Sequence, residues 1–344
     1  MKTSILLIIT VTIASSILHA GETYYPNSLL YLNKIYSHHV VLVEKNTHKL
    51  FLYKNDNNLP KLINIYSIVT GKKTGNKIYQ GDYRTPEGVY KFTNFLPHSE
   101  LLKKYGKKGE IYGVGAFVTN YPNAIDLQLK KSGSGIWLHS TNDETRIDKG
   151  LDSRGCVVST NSDLIEISKY LELANTPIVI THENKFISKE NWLSKRQKIL
   201  QIVKNWSTNW SNKDFNKYIS HYHKNFTDPI KGNLKYFSRY KKRIFASSGN
   251  IKINLSNLSI LSAGDYISVS FEQEYITRNI QDTGLKTLYL KKDEYYNFKI
   301  IAETWTKKGL KNNKSNRSIA FEPSLRFFET STPSKIMKIE NEKL

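Results

Sequence analysis

Cysteine is almost missing from this 344-residue chain: Cys156 is the only one. A single thiol excludes an internal disulfide framework, so Cys156 is either an inert buried residue or a working nucleophile. Acidic side chains are scarce too, with 30 Asp+Glu against 51 Lys+Arg. Beyond residue 20 no long apolar run exists, because charges interrupt each one; a membrane-spanning helix needs about 20 such residues. Internal repeats and low-complexity tracts are absent. The histidines His38, His39, His221 and His223 have no cysteine or carboxylate cluster beside them, and a His-x-His spacing does not put both rings on one helix face. No metal and no cofactor is expected.

What is present begins at the N-terminus. Met1-Lys2, the apolar stretch Ile5 to Ile13 and the small residues ending at Ala20 have the layout of a secretory signal over residues 1–20. The expected location is the periplasm. Exported proteins generally use cysteines in pairs, so a solitary one stands out as a working thiol. The charge is uneven. Residues 21–185 carry 21 basic and 16 acidic side chains, while residues 186–344 carry 29 and 14. The cationic second half is expected to be drawn to anionic wall polymers or a membrane surface. An exported protein rarely meets nucleic acid, so none is expected as a partner.

The pattern along the chain reads as an α+β protein. Residues 21–38 are expected to form a helical arm, with Leu29, Leu30, Leu32 and Ile35 on its apolar side and homodimerisation as one use for it. Strand-like runs follow at Val40–Val43, Leu50–Tyr53, Leu62–Val69, Val89–Phe92, Ala116–Val118 and Ile136–Leu138. Thr160 offers a helix cap before the apolar face of Leu164, Ile167, Tyr170 and Leu171. Pro177–Ile180 closes a mostly β first domain over residues 39–182. Residues 183–195 read as a linker helix. A second domain of helices followed by a curved sheet is expected over residues 196–325, with a polar tail at 326–344. Trp192, Trp206 and Trp210 recur at helical spacing and are expected in a core. The run Arg239-Tyr240-Lys241-Lys242-Arg243 is expected to be a solvated face.

The chemistry concentrates on two residues. A thiol attacks well only as thiolate, and a free pKa near ~8.5 leaves little of it ionised at neutral pH. His139 ends a strand-like run and Cys156 begins the next ordered element, so the polar loop between them can fold back and join the two. The imidazole can then take the thiol proton to form a thiolate–imidazolium pair. Gly155 has no side chain, which lets the N–H groups of Gly155 and Cys156 face a developing oxyanion.

Four motifs in order carry a resemblance: Gly81-Asp82-Tyr83-Arg84-Thr85-Pro86-Glu87-Gly88-Val89-Tyr90, Asn120-Tyr121-Pro122-Asn123, Trp137-Leu138-His139 and Ser153-Arg154-Gly155-Cys156. Together they resemble the L,D-transpeptidase (YkuD-like) catalytic domain. The resemblance implies Cys156 as nucleophile and His139 as base, acting on the stem peptides of peptidoglycan. Arg154 stands where the family usually has histidine, and Val158 where it usually has arginine. The second half resembles a nuclear transport factor 2-like domain. That pairing is similar to the cell-shape-determining L,D-carboxypeptidases of helical and curved Gram-negative bacteria. It implies removal of the terminal D-Ala from tetrapeptide stems through a thioester. Arg154, Ser153 and Arg84 are the expected substrate-binding residues. The alternatives are L,D-transpeptidation, which attaches an amine or a protein instead of water, and an inactive wall-binding protein.

Overall fold

The computed structural model describes residues 23–308 and 321–328; the expected signal lies outside them. The expected helical arm is two short strands instead, β1 (Tyr24–Pro26) and β2 (Leu29–Tyr31). Leu29, Leu30 and Leu32 are all fully buried. Leu30 enters the second domain's core while Leu29 and Leu32 join the apolar cluster between the domains. A strand buried on both faces has a continuous apolar run, which sequence periodicity does not separate from a short helix. The arm's leucines are therefore covered by their own chain.

The first domain is built on one eight-stranded sheet. Its strands are β3 (His39–Glu44), β4 (Lys49–Asp56), β5 (Leu59–Ser67), β7 (Gly88–Pro97), β8 (Gly115–Thr119), β9 (Trp137–His139), β11 (Val157–Val158) and β12 (Pro177–Thr181). The pair β6 (Thr70–Gly71) and β10 (Leu151–Ser153) lies outside it. Spatial order is β11-β9-β8-β7-β12-β3-β4-β5. Every residue of β3 and β12 is buried, and both are rich in β-branched side chains, as central strands covered on both faces should be. Three helices attach to this sheet: α1 (His98–Tyr105), α2 (Ala124–Gln128) and α3 (Asn161–Ser168). The Thr160 hydroxyl caps α3 by accepting the Asp163 N–H at 3.1 Å.

β13 (Phe186–Ser188) pairs with β1, and the chain then enters α4 (Lys189–Ser211). Of the expected linker helix at 183–195, residues 186–188 are strand and only residues from 189 are helical, opening one 23-residue helix of the second domain with no break at residue 195. Its buried stripe of Trp192, Ile199, Val203, Trp206 and Trp210 follows helical spacing. The Trp192 indole N–H donates to the Leu29 carbonyl at 3.1 Å and ties the helix to β2. After α5 (Phe215–Ile219) come the small hairpin β14 (Thr227–Asp228) and β15 (Gly232–Asn233), then α6 (Leu234–Ser247). The basic run of residues 239–243 lies in α6, and its middle member turns inward: Lys241 is buried with its ammonium 3.8 Å from the Trp210 ring. Strands β16 (Lys252–Ala263), β17 (Tyr266–Ile276), β18 (Gln281–Lys292) and β19 (Phe298–Lys307) make an antiparallel sheet that β2 completes at its edge.

Residues 321–328 return to the first domain. The Phe321 ring stacks on His38 at 3.9 Å, and Phe327 packs against Phe117 and Phe95. The expected domain limit at 325 and the purely polar tail are corrected on this stretch, because Phe327 and Phe328 find an aromatic surface at Phe95. The rest of the expected tail lies outside the described residues.

Candidate active site

Parallel pairing of β9 with β11 aligns Leu138 with Val157 and His139 with Val158. Continued by one residue, that register sets Cys156, the residue before β11, opposite Trp137, two residues before His139. The loop between them passes through a six-residue 3-10 segment, Glu144–Lys149, and β10, which is held to β6. The distant-loop juxtaposition expected from sequence is therefore made by strand pairing. His139 and Cys156 line one cavity of about 880 Å³, with Tyr112, Arg146, Arg154 and Asp152 among the other walls.

His139 is buried, and its Nδ1–H donates to the Ser140 carbonyl at 2.6 Å. That bond sets the tautomer and leaves Nε2 as the acceptor. The Tyr112 ring packs edge-on against the imidazole at 5.0 Å and also contacts Trp137. Burial pushes the imidazole down to about 4, helped by the nearby Arg146 charge and opposed by the Ser140 carbonyl. Cys156 donates its S–H to the Gly135 carbonyl at 3.4 Å. Burial pushes its thiol up to about 11, against the Trp137 N–H and the Lys77 and Arg146 charges.

Both shifts favour neutral forms. A thiol and a neutral imidazole at rest are favoured over the expected thiolate–imidazolium pair. A pH consequence follows from the signs. A histidine with a depressed pKa is neutral, and able to accept a proton, at all pH values above about 4. Alkylation of Cys156 by iodoacetamide should therefore be slow at neutral pH and rise toward about 11, where the free thiol ionises. A measured rate plateau beginning near pH 7 would show the preformed ion pair instead.

The Ser153-Arg154-Gly155-Cys156 turn is held from within. Ser153 is buried; its hydroxyl accepts the Gly155 N–H at 3.0 Å and donates to the Cys156 carbonyl at 2.6 Å. The Gly155 N–H is thus occupied and does not act as the expected oxyanion donor. Ser153 braces the turn instead of facing substrate. The Cys156 N–H has no acceptor among the described residues and is the donor left for an oxyanion. Gly155 has φ +124°, and a Cβ there would sit 2.8 Å from the Arg84 carbonyl oxygen. Arg84 does not line the cavity of His139 and Cys156. Its backbone floors the turn, and its Nε is buried without a partner. Arg154 is exposed on the cavity wall, as a substrate contact requires.

Sequence reasoning missed Tyr112 and Arg146. Tyr112 ends the 3-10 segment Gly106–Tyr112 that follows α1, and this fold-back brings its ring to the site. Arg146 clamps the loop between His139 and Cys156: its Nε donates to Asp152 at 2.7 Å and its Nη1 to the Thr141 hydroxyl at 3.1 Å. An arginine within a polar loop has no sequence signature for this role. The four histidines singled out by the sequence have structural partners, His223 through the Asn225 N–H at 3.0 Å. His38 and His39 share a hydrogen bond of 2.8 Å between their Nδ1 atoms, and His221 bonds Asn209 at 3.0 Å.

A second cavity, of about 670 Å³, opens in the second domain between α6 and the sheet. Lys241, Gln273, Trp210 and the ion-paired Lys286 and Glu303 line it.

Comparison with known proteins places these observations. Residues 38–180 match the L,D-transpeptidase catalytic domain (YkuD) model, and residues 198–304 match the Cds6 C-terminal NTF2-like domain model. The structure is similar to that of Bd1075 from Bdellovibrio bacteriovorus, at 32% identity and a TM-score of 0.72, covering 84% of this chain and 100% of that one. It is similar also to the helical cell shape determining protein Pgp2 from Campylobacter jejuni, at 27% identity and a TM-score of 0.66, covering 81% of this chain and 95% of that one. A search of curated proteins finds no match.

Proposed function

This chain belongs to the L,D-transpeptidase (YkuD) family, joined to a C-terminal NTF2-like domain, and from that premise we propose that it is a peptidoglycan L,D-carboxypeptidase that trims tetrapeptide stems to tripeptides. The observation that carries the reading is the joining of His139 and Cys156 at one cavity by the β9–β11 register. Cys156 Sγ attacks the carbonyl that links the third stem residue to D-Ala while His139 Nε2 takes the thiol proton. The oxyanion meets the Cys156 N–H. Collapse breaks the C–N bond, and the protonated imidazole gives its proton to the departing D-Ala amine. Water then attacks the thioester with His139 as base, releasing the tripeptide carboxylate and restoring the thiol. Replacing that water with an amine from another stem would give transpeptidation instead, from the same acyl-enzyme.

The reading places the protein in the periplasm, exported by residues 1–20, with stem peptides as substrate and cell shape as the trait affected. Similarity to a cell-shape-determining protein supports that trait. The cationic second domain is proposed to hold the enzyme near anionic wall or membrane surfaces, with an attraction that weakens as salt rises. Homodimerisation stays a proposal that sedimentation would settle.

Arg154 is proposed to pair with a substrate carboxylate, for which a guanidinium is suited by its planar fork of donors. Arg154→Ala should raise KM for tetrapeptide about 10-fold and leave kcat nearly unchanged, the pattern of lost uniform binding. Unchanged kinetics would remove Arg154 from the binding set.

A further inference from the structure

Two backbone carbonyls border the nucleophile's turn. Arg84 O lies directly under Gly155, and Gly135 O accepts the Cys156 S–H. The two segments that deliver these carbonyls share an anchor in the other domain. The Tyr266 hydroxyl, at the start of β17, accepts the Val89 N–H at 2.7 Å and the Asn123 side-chain N–H at 3.0 Å.

Val89 follows Arg84 by five residues, through the turn Thr85-Pro86-Glu87-Gly88. Asn123 opens the other route. Its Oδ1 caps α2 by accepting the N–H groups of Ile125 and Asp126, at 2.9 and 3.0 Å. Asp126 is the hub of that route. It accepts the Asn123 N–H at 3.1 Å, the Tyr90 hydroxyl at 3.0 Å and the Lys131 ammonium at 2.9 Å. Beyond Lys131 the loop is pinned by Ser132, whose N–H donates to Ile78 O at 3.1 Å, and it arrives at Gly135. Tyr266, Asn123, Asp126 and Tyr90 are all at most 5% exposed, so each bond acts without competing water.

We infer that Tyr266 of the second domain is a positioning residue for Cys156, acting through Val89 and Asn123 on the two segments that floor the nucleophile. The inference rests on Cys156 being the reacting group. Tyr266→Phe keeps the ring and its packing and removes only the shared acceptor. Val89 N–H and the Asn123 amide then lose one partner each, and both segments loosen. A loosened Gly135 carbonyl releases the S–H and shifts the sulfur within the cavity it shares with His139.

The test uses the full-length protein at a temperature well below its melting point and reads two quantities. One is the rate of Cys156 alkylation by iodoacetamide at fixed pH, which needs no substrate. The other is kcat and KM on purified tetrapeptide stems. Tyr266→Phe is expected to speed alkylation about threefold or more while kcat falls about fivefold or more at constant KM, since small displacements of reacting groups are costly. Ile267→Val, which trims the second domain's core at the next residue, controls for stability and should move neither quantity. Asp126→Asn should reproduce the Tyr266→Phe pattern, and the double variant should fall short of the summed effects, as members of one network do.

Unchanged alkylation and kcat in Tyr266→Phe would overturn the inference and reduce the hydroxyl to a bond between domains. So would a parallel fall of both quantities matched by Ile267→Val. If no variant, nor the parent, acts on stems, the alkylation rates alone decide the positioning role, separately from the proposed activity.

Discussion

Cys156→Ala is expected to abolish the loss of alanine from tetrapeptide stems, on the order of 10⁴-fold or more, because the substitution removes the atom that forms the thioester. His139→Gln should come close to the same loss. Nucleophile and base act as one unit, so the double variant should be little worse than either single one. The measurement is mass spectrometry of purified muropeptides incubated with the mature protein and with each variant. Tripeptide stems formed only by the parent protein would establish the carboxypeptidase. New crosslinked dimers or exchanged terminal residues, again absent from the variants, would make it a transpeptidase. Intact stems with well-folded parent protein would favour the wall-binding alternative. Folding should survive both substitutions. Cys156 stands at a cavity wall, and the Ser153 hydroxyl that braces its turn bonds backbone groups only, the Gly155 N–H and the Cys156 carbonyl.

Gly155→Ala should damage stability and activity together. At φ +124° an L side chain is strained, and the added Cβ would meet the Arg84 carbonyl oxygen at 2.8 Å and Ile136 Cδ1 at 3.2 Å. The carbonyl is backbone and cannot swing aside. Strain and overlap together are expected to cost about 2–4 kcal/mol. Relief requires moving the turn, which carries the Cys156 N–H away from the oxyanion position. Thermal melting should show the loss of stability, and acylation by stem peptide should slow on the order of 100-fold even in the folded fraction. A variant that melts normally and turns over normally would show that the turn is free to reshape, and would remove the Cys156 N–H from its proposed role.

Much of the first domain was readable because its strands are short apolar runs bounded by turns. Val40–Val43, Val89–Phe92 and Pro177–Ile180 each fall within a strand of the sheet. The Thr160 cap was readable because a hydroxyl before an apolar helix face has a local purpose. The arm was misread for a physical reason. Leu29, Leu30 and Leu32 look like one helix face, yet each side of that strand is buried by a different domain. The basic run 239–243 concealed a buried lysine, because the stripe that turns inward depends on the aromatic wall of Trp210, Tyr218 and Phe237.

The candidate chemistry came from the sequence: one thiol, one histidine at the end of an apolar run and a glycine beside the thiol, set in motifs that resemble the family's, are the proposed nucleophile, base and tight turn by residue type. Tertiary structure decided their state and their surroundings. Enclosure of the site favours a neutral thiol and imidazole over the expected ion pair. The Ser153 hydroxyl takes up the Gly155 N–H, and Arg84 contributes a carbonyl in place of its guanidinium. Tyr112, Arg146 and Tyr266 arrive from segments far from the motifs. The division has one cause. Which atoms can react is written in side-chain chemistry, whereas protonation, free donors and bracing partners depend on which distant groups folding brings within a few ångströms.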